Sequence, residues 1–217
     1  MAINVKICGI TTPGALMAAS SAGASHMGLN FYPPSPRAVT LDAAADLAGQ
    51  APDGLTRVGV FVDPDDSLLN AVLGAVPLDW VQLLGAESGT RVAEIGAAFA
   101  KPVVKAISIA DRGDIELAHS YENVADFLLF DAKPPKSMAH SLPGGTGLAF
   151  DWTLIAGETW SVPWILAGGL TRDNVGEAIS RTGARFVDVS SGVEDEPGVK
   201  SPAKIKAFVE AAQGQEI

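Results

Sequence analysis

The sequence predicts a single-domain (β/α)8 barrel over residues 1–217. A strand pattern followed by a helix pattern recurs eight times along the chain, without a linker-like gap. The length suits one α/β barrel around one sizeable core. The stretch Ala125 to Phe130 is almost wholly apolar, as expected for a parallel strand buried on both faces. A doubly wound sheet is the alternative, but it usually carries fewer strands at this length.

The first unit is a strand over Val5-Lys6-Ile7-Cys8, stopped by Gly9. Thr11-Thr12-Pro13 supplies a capping hydroxyl and an early proline, so Ala15 to Ala22 reads as a helix ended by Gly23. His26 to Phe31 is the second strand. Tyr32-Pro33-Pro34-Ser35-Pro36-Arg37 is a loop, because its prolines restrict the backbone. Leu41 to Gln50 is the second helix. Arg57 to Val62 with Asp65 to Ala75, Asp79 to Leu83 with Thr90 to Ala100, and Pro102 to Ile107 with Asp111 to Ser120 are the next three pairs. Ala125 to Phe130 leads into Asp131 and a glycine- and proline-bearing segment, Ala132 to Ala149, before a short helix opening at Asp151-Trp152. Val162 to Ala167 precedes a helix over Thr171 to Arg181. Arg185 to Val189 and Pro202 to Ala212 complete the series.

Composition narrows the function classes. Hydrophobic residues make up 47% of the chain, ordinary for a globular protein. A formal charge of −10 argues against nucleic acid and against an anionic membrane surface. The lone cysteine excludes an internal disulfide and fits a reducing compartment. The first residues lack a basic stretch followed by an apolar run, and no apolar segment approaches the roughly 20 residues of a bilayer span. A cytoplasmic protein is expected.

Alternation along the first strand turns Val5 and Ile7 to the helices and Lys6 and Cys8 to the barrel interior. The carboxyl ends of all strands open on one mouth. Cys8, Arg37, Gln82, Asp131, Gly168-Gly169 and Ser190-Ser191-Gly192 are expected there. Cys8 reads either as a reactive thiol or as a small buried hydrophobe. Strands seven and eight end in small residues ahead of helices, a pattern suited to binding phosphate through backbone N–H groups, or else to two tight turns. Cys8 and Asp131 form a possible base–acid pair that needs no metal, although Asp131 could instead brace its loop. His26 is expected on the wrong face, His119 at a helix end and only His140 near the mouth, a spacing that does not suggest a metal site.

Several stretches resemble the phosphoribosylanthranilate isomerase family. They are Val5-Lys6-Ile7-Cys8-Gly9-Ile10-Thr11, Phe31-Tyr32 with Ser35-Pro36-Arg37, Val58-Gly59-Val60-Phe61 and Val81-Gln82-Leu83. Further on come Gly144-Gly145-Thr146-Gly147 with Phe150-Asp151-Trp152, Leu166-Ala167-Gly168-Gly169-Leu170 with Asn174-Val175, and Val187-Asp188-Val189-Ser190-Ser191-Gly192-Val193-Glu194. The match runs in order from the first strand to the eighth. The resemblance implies Cys8 as general base, Asp131 as general acid and Arg37 as the partner of the anthranilate carboxylate. It assigns Gly168, Gly169, Ser190, Ser191 and Gly192 to phosphate and counts Gln82 among the substrate-binding residues.

The implied reaction is the Amadori rearrangement of N-(5-phosphoribosyl)anthranilate to the 1-deoxyribulose 5-phosphate, in tryptophan biosynthesis and without a cofactor. The implied partner is a small phosphorylated substrate, and the chain is expected as a monomer or homodimer. Lys6, on the same strand face as Cys8, is expected to lower the thiol pKa. Two features depart from the family: Leu84 stands where histidine is usual, and the segment Lys133 to Pro143 is longer and expected to act as a lid. Two rival readings are a sister aminoaldose isomerase of histidine biosynthesis, which uses two aspartates, and an inactive barrel serving as a binding subunit.

Overall fold

The computed structural model describes residues 3–133 and 147–215. Among them, eight parallel strands close into a barrel in chain order, from β1 beside β2 round to β8 beside β1. The strands are β1 (Asn4–Cys8), β2 (His26–Asn30), β3 (Thr56–Phe61), β4 (Trp80–Leu83), β5 (Val103–Ile109), β6 (Phe127–Ala132), β7 (Trp164–Leu166) and β8 (Phe186–Val189). The helices are α1 (Pro13–Ala22), α2 (Leu41–Gln50), α3 (Asp66–Ala75), α4 (Gly89–Phe99), α5 (Arg112–His119), α6 (Val175–Thr182) and α7 (Pro202–Gln213).

Helix starts follow local chemistry. Thr12, Thr40, Asp65, Ser88 and Asp111 each accept a hydrogen bond from a backbone N–H of the first turn, satisfying a donor that the helix itself cannot. Strand faces follow the period of two. Val5 and Ile7 point outward into the main core with Leu16 and Ala19 of α1 and Phe208 and Val209 of α7. A second cluster fills the barrel interior: Val104, Ala106, Leu129, Ile165, Ala167 and Phe186. Each large apolar side chain removed from water in this way contributes about 1.5–3 kcal/mol before the entropy of ordering is subtracted.

The short helix expected at Asp151-Trp152 is a three-residue 3-10 turn, Trp152–Leu154, capped by Asp151. Three expectations are corrected. The helix expected from Thr171 begins at Val175, because the preceding residues form a turn closed by Asn174. A short antiparallel hairpin, β9 (Glu194–Glu196) with β10 (Val199–Lys200), follows β8 where the sequence suggests only a connection. His26 is the third: it is the register partner of Lys6 and faces the barrel interior, its ring against Trp80 and Phe186. It sits at the amino end of β2, opposite to the mouth. Of the proposed lid, only Lys133 is described, paired with Asp114 at 2.6 Å; residues 134–143, His140 included, lie outside the described residues.

One buried ion pair organises the loops after β3 and β4. Lys105 on β5 reaches Glu87 Oε2 at 2.8 Å and the Gly85 carbonyl at 2.7 Å, with both charged side chains almost fully buried. The other carboxylate oxygen accepts the N–H groups of Asp63 and Gly85, and Tyr121 donates its hydroxyl to the Glu87 carbonyl. Glu87→Ala therefore leaves a buried ammonium uncompensated and two loop N–H groups unpaired. We expect it to lower unfolding free energy by roughly 3–5 kcal/mol in denaturant titrations; a loss below about 1 kcal/mol would show that solvent reaches the pair.

Candidate active site

The carboxyl ends of the strands surround one cleft. Cys8, Arg37, Gln82, Asp131, Gly168, Gly169, Ser190, Ser191 and Gly192, all expected at the mouth, line it. So does Leu84. Asn30, Ser35 and Asp188 line the same cleft without having been singled out from the sequence.

Cys8 ends β1 on its interior face, beside Gly28 of β2. A Cβ at Gly28 would lie 3.0 Å from the Cys8 sulfur and 3.3 Å from the Lys6 side chain, so glycine makes the room for both. Lys6 is sealed below the thiol, its Nζ 3.0 Å from Asp188 Oδ1. Burial pushes the Cys8 thiol up; Lys6 and Lys200 pull it down, Asp188 pushes it up further, and the net result is a raised pKa. The expected lowering by Lys6 is thus present but outweighed by desolvation. Burial would also lower the Lys6 ammonium, yet Asp188 and Cys8 together leave it raised.

Asp131 stands near the end of β6, its Oδ1 accepting the Ala132 N–H at 2.8 Å. Burial pushes its carboxyl up to about 6; Asp188 adds to the rise, while the Ala132 N–H and Lys6 oppose it. At neutral pH about a tenth of such carboxyls carry a proton, against about a thousandth for an ordinary aspartate. Asp188 is a second carboxyl in the cleft, beside the one candidate acid and one candidate base that the sequence suggested. Lys6 donates to its Oδ1 at 3.0 Å.

The loops after β7 and β8 are shaped by backbone contacts that exclude side chains. Gly168 and Gly169 are both left-handed, with φ 83° and 59°. A Cβ at Gly169 would fall 2.5 Å from the Leu148 carbonyl carbon, and one at Gly192 would fall 2.0 Å from the Leu170 oxygen. Asn174 clamps the first of these loops, accepting the Thr171 N–H at 2.7 Å and donating to the Gly169 carbonyl at 3.0 Å. Ser190 ties the second loop to the reacting strand by donating its hydroxyl to the Cys8 carbonyl at 3.1 Å. On the cleft wall, Gln82 Oε1 is buried with no hydrogen-bond partner among the described residues.

Arg37 is buried and grips Glu194 through two bonds, Nε to Oε1 and Nη2 to Oε2, each 2.8 Å. The structure joins Arg37 to the loop after β8, because Lys200 bridges Glu194 to Ser190. Glu194 entered the sequence reading only as the end of a family-like stretch, without a role, and Lys200 escaped it. The only signal was a charged residue directly after the Ser-Ser-Gly-Val run. Among the described residues no group of three or more His, Cys, Asp or Glu side chains is placed to hold a metal ion.

The model of the N-(5'-phosphoribosyl)anthranilate (PRA) isomerase family matches residues 5–211. A relative of that name in Paracoccus denitrificans is 55% identical over 212 residues, covering 98% of each protein. The crystal structure of phosphoribosyl anthranilate isomerase from Thermotoga maritima superposes with a TM-score of 0.86 at 34% identity, covering 98% of this chain and 100% of that one. Another phosphoribosyl anthranilate isomerase, solved in complex with reduced 1-(o-carboxyphenylamino)-1-deoxyribulose 5-phosphate, has a TM-score of 0.80 and 31% identity over 98% of this chain and 100% of that one. With the family model matched over residues 5–211 and relatives matched over nearly the whole length, the chain belongs to the N-(5'-phosphoribosyl)anthranilate isomerase family.

Proposed function

We propose a division of labour for the aldose–ketose isomerisation in tryptophan biosynthesis that this chain catalyses: Asp131 is the general acid, Cys8 the general base, and Arg37 the receptor for the anthranilate carboxylate. The observation that carries it is one cleft lined by an acid–base pair and by two kinds of anion-binding group. Arg37 is one, and the glycine-lined loops at 168–169 and 190–192 are the other. A substrate with a carboxylate and a phosphate needs that layout.

The chemistry moves protons and no net electrons. Neutral Asp131 protonates the furanose ring oxygen; the ring C–O bond breaks and the nitrogen lone pair completes an iminium. The Cys8 thiolate removes the proton from C2 of the ribose, giving an enolamine. A proton then adds at C1 as one leaves the C2 hydroxyl, and the aminoketone results. Asp131 has lost one proton and Cys8 has gained one, so exchange with water resets the pair. The productive form is thiolate with neutral carboxyl: burial favours the neutral carboxyl of Asp131 but works against the Cys8 thiolate, and Lys6 and Lys200 favour that thiolate. Gln82 is suited to accept a substrate hydroxyl, and the two glycine loops to receive the phosphate.

All these groups come from one chain, so either a monomer or a homodimer supplies a complete site. No helix among the described residues is long and apolar enough to cross a membrane. We place the chain in the cytoplasm, where a cysteine used as a base stays reduced.

Cys8→Ser and Asp131→Asn keep the shape of each side chain and should each lower kcat by at least ~10²-fold in an assay following loss of substrate fluorescence. Near wild-type turnover by either folded variant would remove that residue from its role. Stability supplies an independent check on Asp131. Its carboxyl is raised in the folded state, so the native form holds its proton more tightly than the unfolded chain does, and stability falls as pH rises from about 4 through about 6. Asp131→Asn should therefore be more stable than the wild type at about pH 7.5, by on the order of 2 kcal/mol, and should lose that advantage near pH 4. An advantage that does not vary with pH would mean that carboxyl burial is not its source. Arg37→Lys should weaken the carboxylate-bearing product analogue by about 10-fold, because lysine cannot reproduce the planar fork, and should spare inorganic phosphate. Equal losses for the two ligands would move Arg37 out of the carboxylate site.

A further inference from the structure

The contact between Arg37 and Glu194 raises a question of charge. Two of the five guanidinium N–H groups are spent on Glu194, and a guanidinium paired with a carboxylate is neutral as a unit. A neutral unit is a poor receptor for a second carboxylate. Lys200, from the hairpin that follows β8, alters the count. Its side chain is fully buried, and its Nζ lies 2.7 Å from Glu194 Oε1, 2.9 Å from the Ser190 carbonyl and 3.2 Å from the Ser190 hydroxyl. Those three acceptors use the three ammonium hydrogens, so Lys200 has no donor left for a ligand. Two cations thus share one carboxylate, and of the three residues only Arg37 lines the cleft. Neighbouring charges do not change the balance: Lys6 is paired with Asp188 and Lys204 with Asp195. The hairpin is itself anchored, since Thr11 donates its hydroxyl to the Gly198 carbonyl at 3.2 Å.

We infer that Glu194 and Lys200 are the residues that make Arg37 a carboxylate receptor. Glu194 fixes the plane of the guanidinium. Lys200 cancels the charge of Glu194 without touching the substrate, so the cluster of three presents one net positive charge through the free N–H groups of Arg37. This rests on Arg37 being the carboxylate site. Lys200 is then a positioning residue whose contribution is its charge, and that is what the experiment must isolate.

Two probes separate charge from general damage: the reduced product analogue, which carries carboxylate and phosphate, and the same molecule without its carboxylate. Lys200→Met should weaken the first by about tenfold, the scale for a unit charge a few ångströms away at an effective dielectric constant of about 20, and leave the second within about twofold. Lys200→Gln, which keeps donors for Ser190, carries the same expectation and serves if the methionine variant does not fold. The double variant Glu194→Gln/Lys200→Met restores a net charge of one and should recover most of the lost affinity, which no purely structural role would produce. Equal weakening of both probes, or a double variant no better than the single one, would overturn the inference. Arg37→Ala is the control for the reading beneath it. If Arg37→Ala weakens both probes equally, the carboxylate site lies elsewhere; if it discriminates between them and Lys200→Met does not, only the role of Lys200 falls.

Discussion

Two opposite charges sealed inside the barrel join its first and last strands. Lys6 on β1 and Asp188 on β8 are register partners, and their side chains meet at 3.0 Å, each almost fully buried. Neither charge is tolerable there without the other, because an unpaired buried ion costs several kcal/mol. A register slip along the β1–β8 seam would turn one of them into the helical layer. The register that satisfies the pair also sets the Ser190 loop against the end of β1, where the Ser190 hydroxyl meets the Cys8 carbonyl. Closure of the barrel and the placing of the reactive thiol beside that loop are therefore one event.

The same ion pair acts on both Cys8 and Asp131. Asp188 raises the two alike, adding to the larger effect of burial, and Lys6 lowers both against it. The two groups thus share one electrostatic environment. Such displacement from ordinary values, at the mouth of a cleft, is characteristic of groups with a chemical task.

The opposite end of the barrel has a different character. His26, Trp80, Phe127 and Phe186 pack ring against ring there. Burial, with Lys6 adding, pushes His26 down to about 4, so at neutral pH it is an uncharged aromatic and packs as one. Stability is concentrated at this end and around the outer core; reactivity is concentrated at the mouth. The Glu87–Lys105 network sits between the two roles, holding the loops after β3 and β4 without lining the cleft.

Local pattern was enough to find the eight barrel strands and nearly all the helices. Alternation along Val5 to Cys8, the apolar run ending at Phe130, and caps such as Thr12 and Asp65 act within one turn or one strand and need no distant partner. Because barrel strands run parallel, finding their carboxyl ends also located the mouth, and with it Cys8, Arg37, Gln82 and Asp131. The later start of α6 escaped notice because the Asn174 side chain satisfies the backbone of the preceding turn. Charge pairing escaped as well. Lys6 with Asp188, Arg37 with Glu194 and Lys105 with Glu87 are 182, 157 and 18 residues apart, and no spacing rule links such partners. The sequence determined by itself which residues reach the mouth, because side-chain alternation is a property of each strand. Only the tertiary structure decided which charges meet and how far burial shifts each proton, because pairing and desolvation depend on what closure brings alongside.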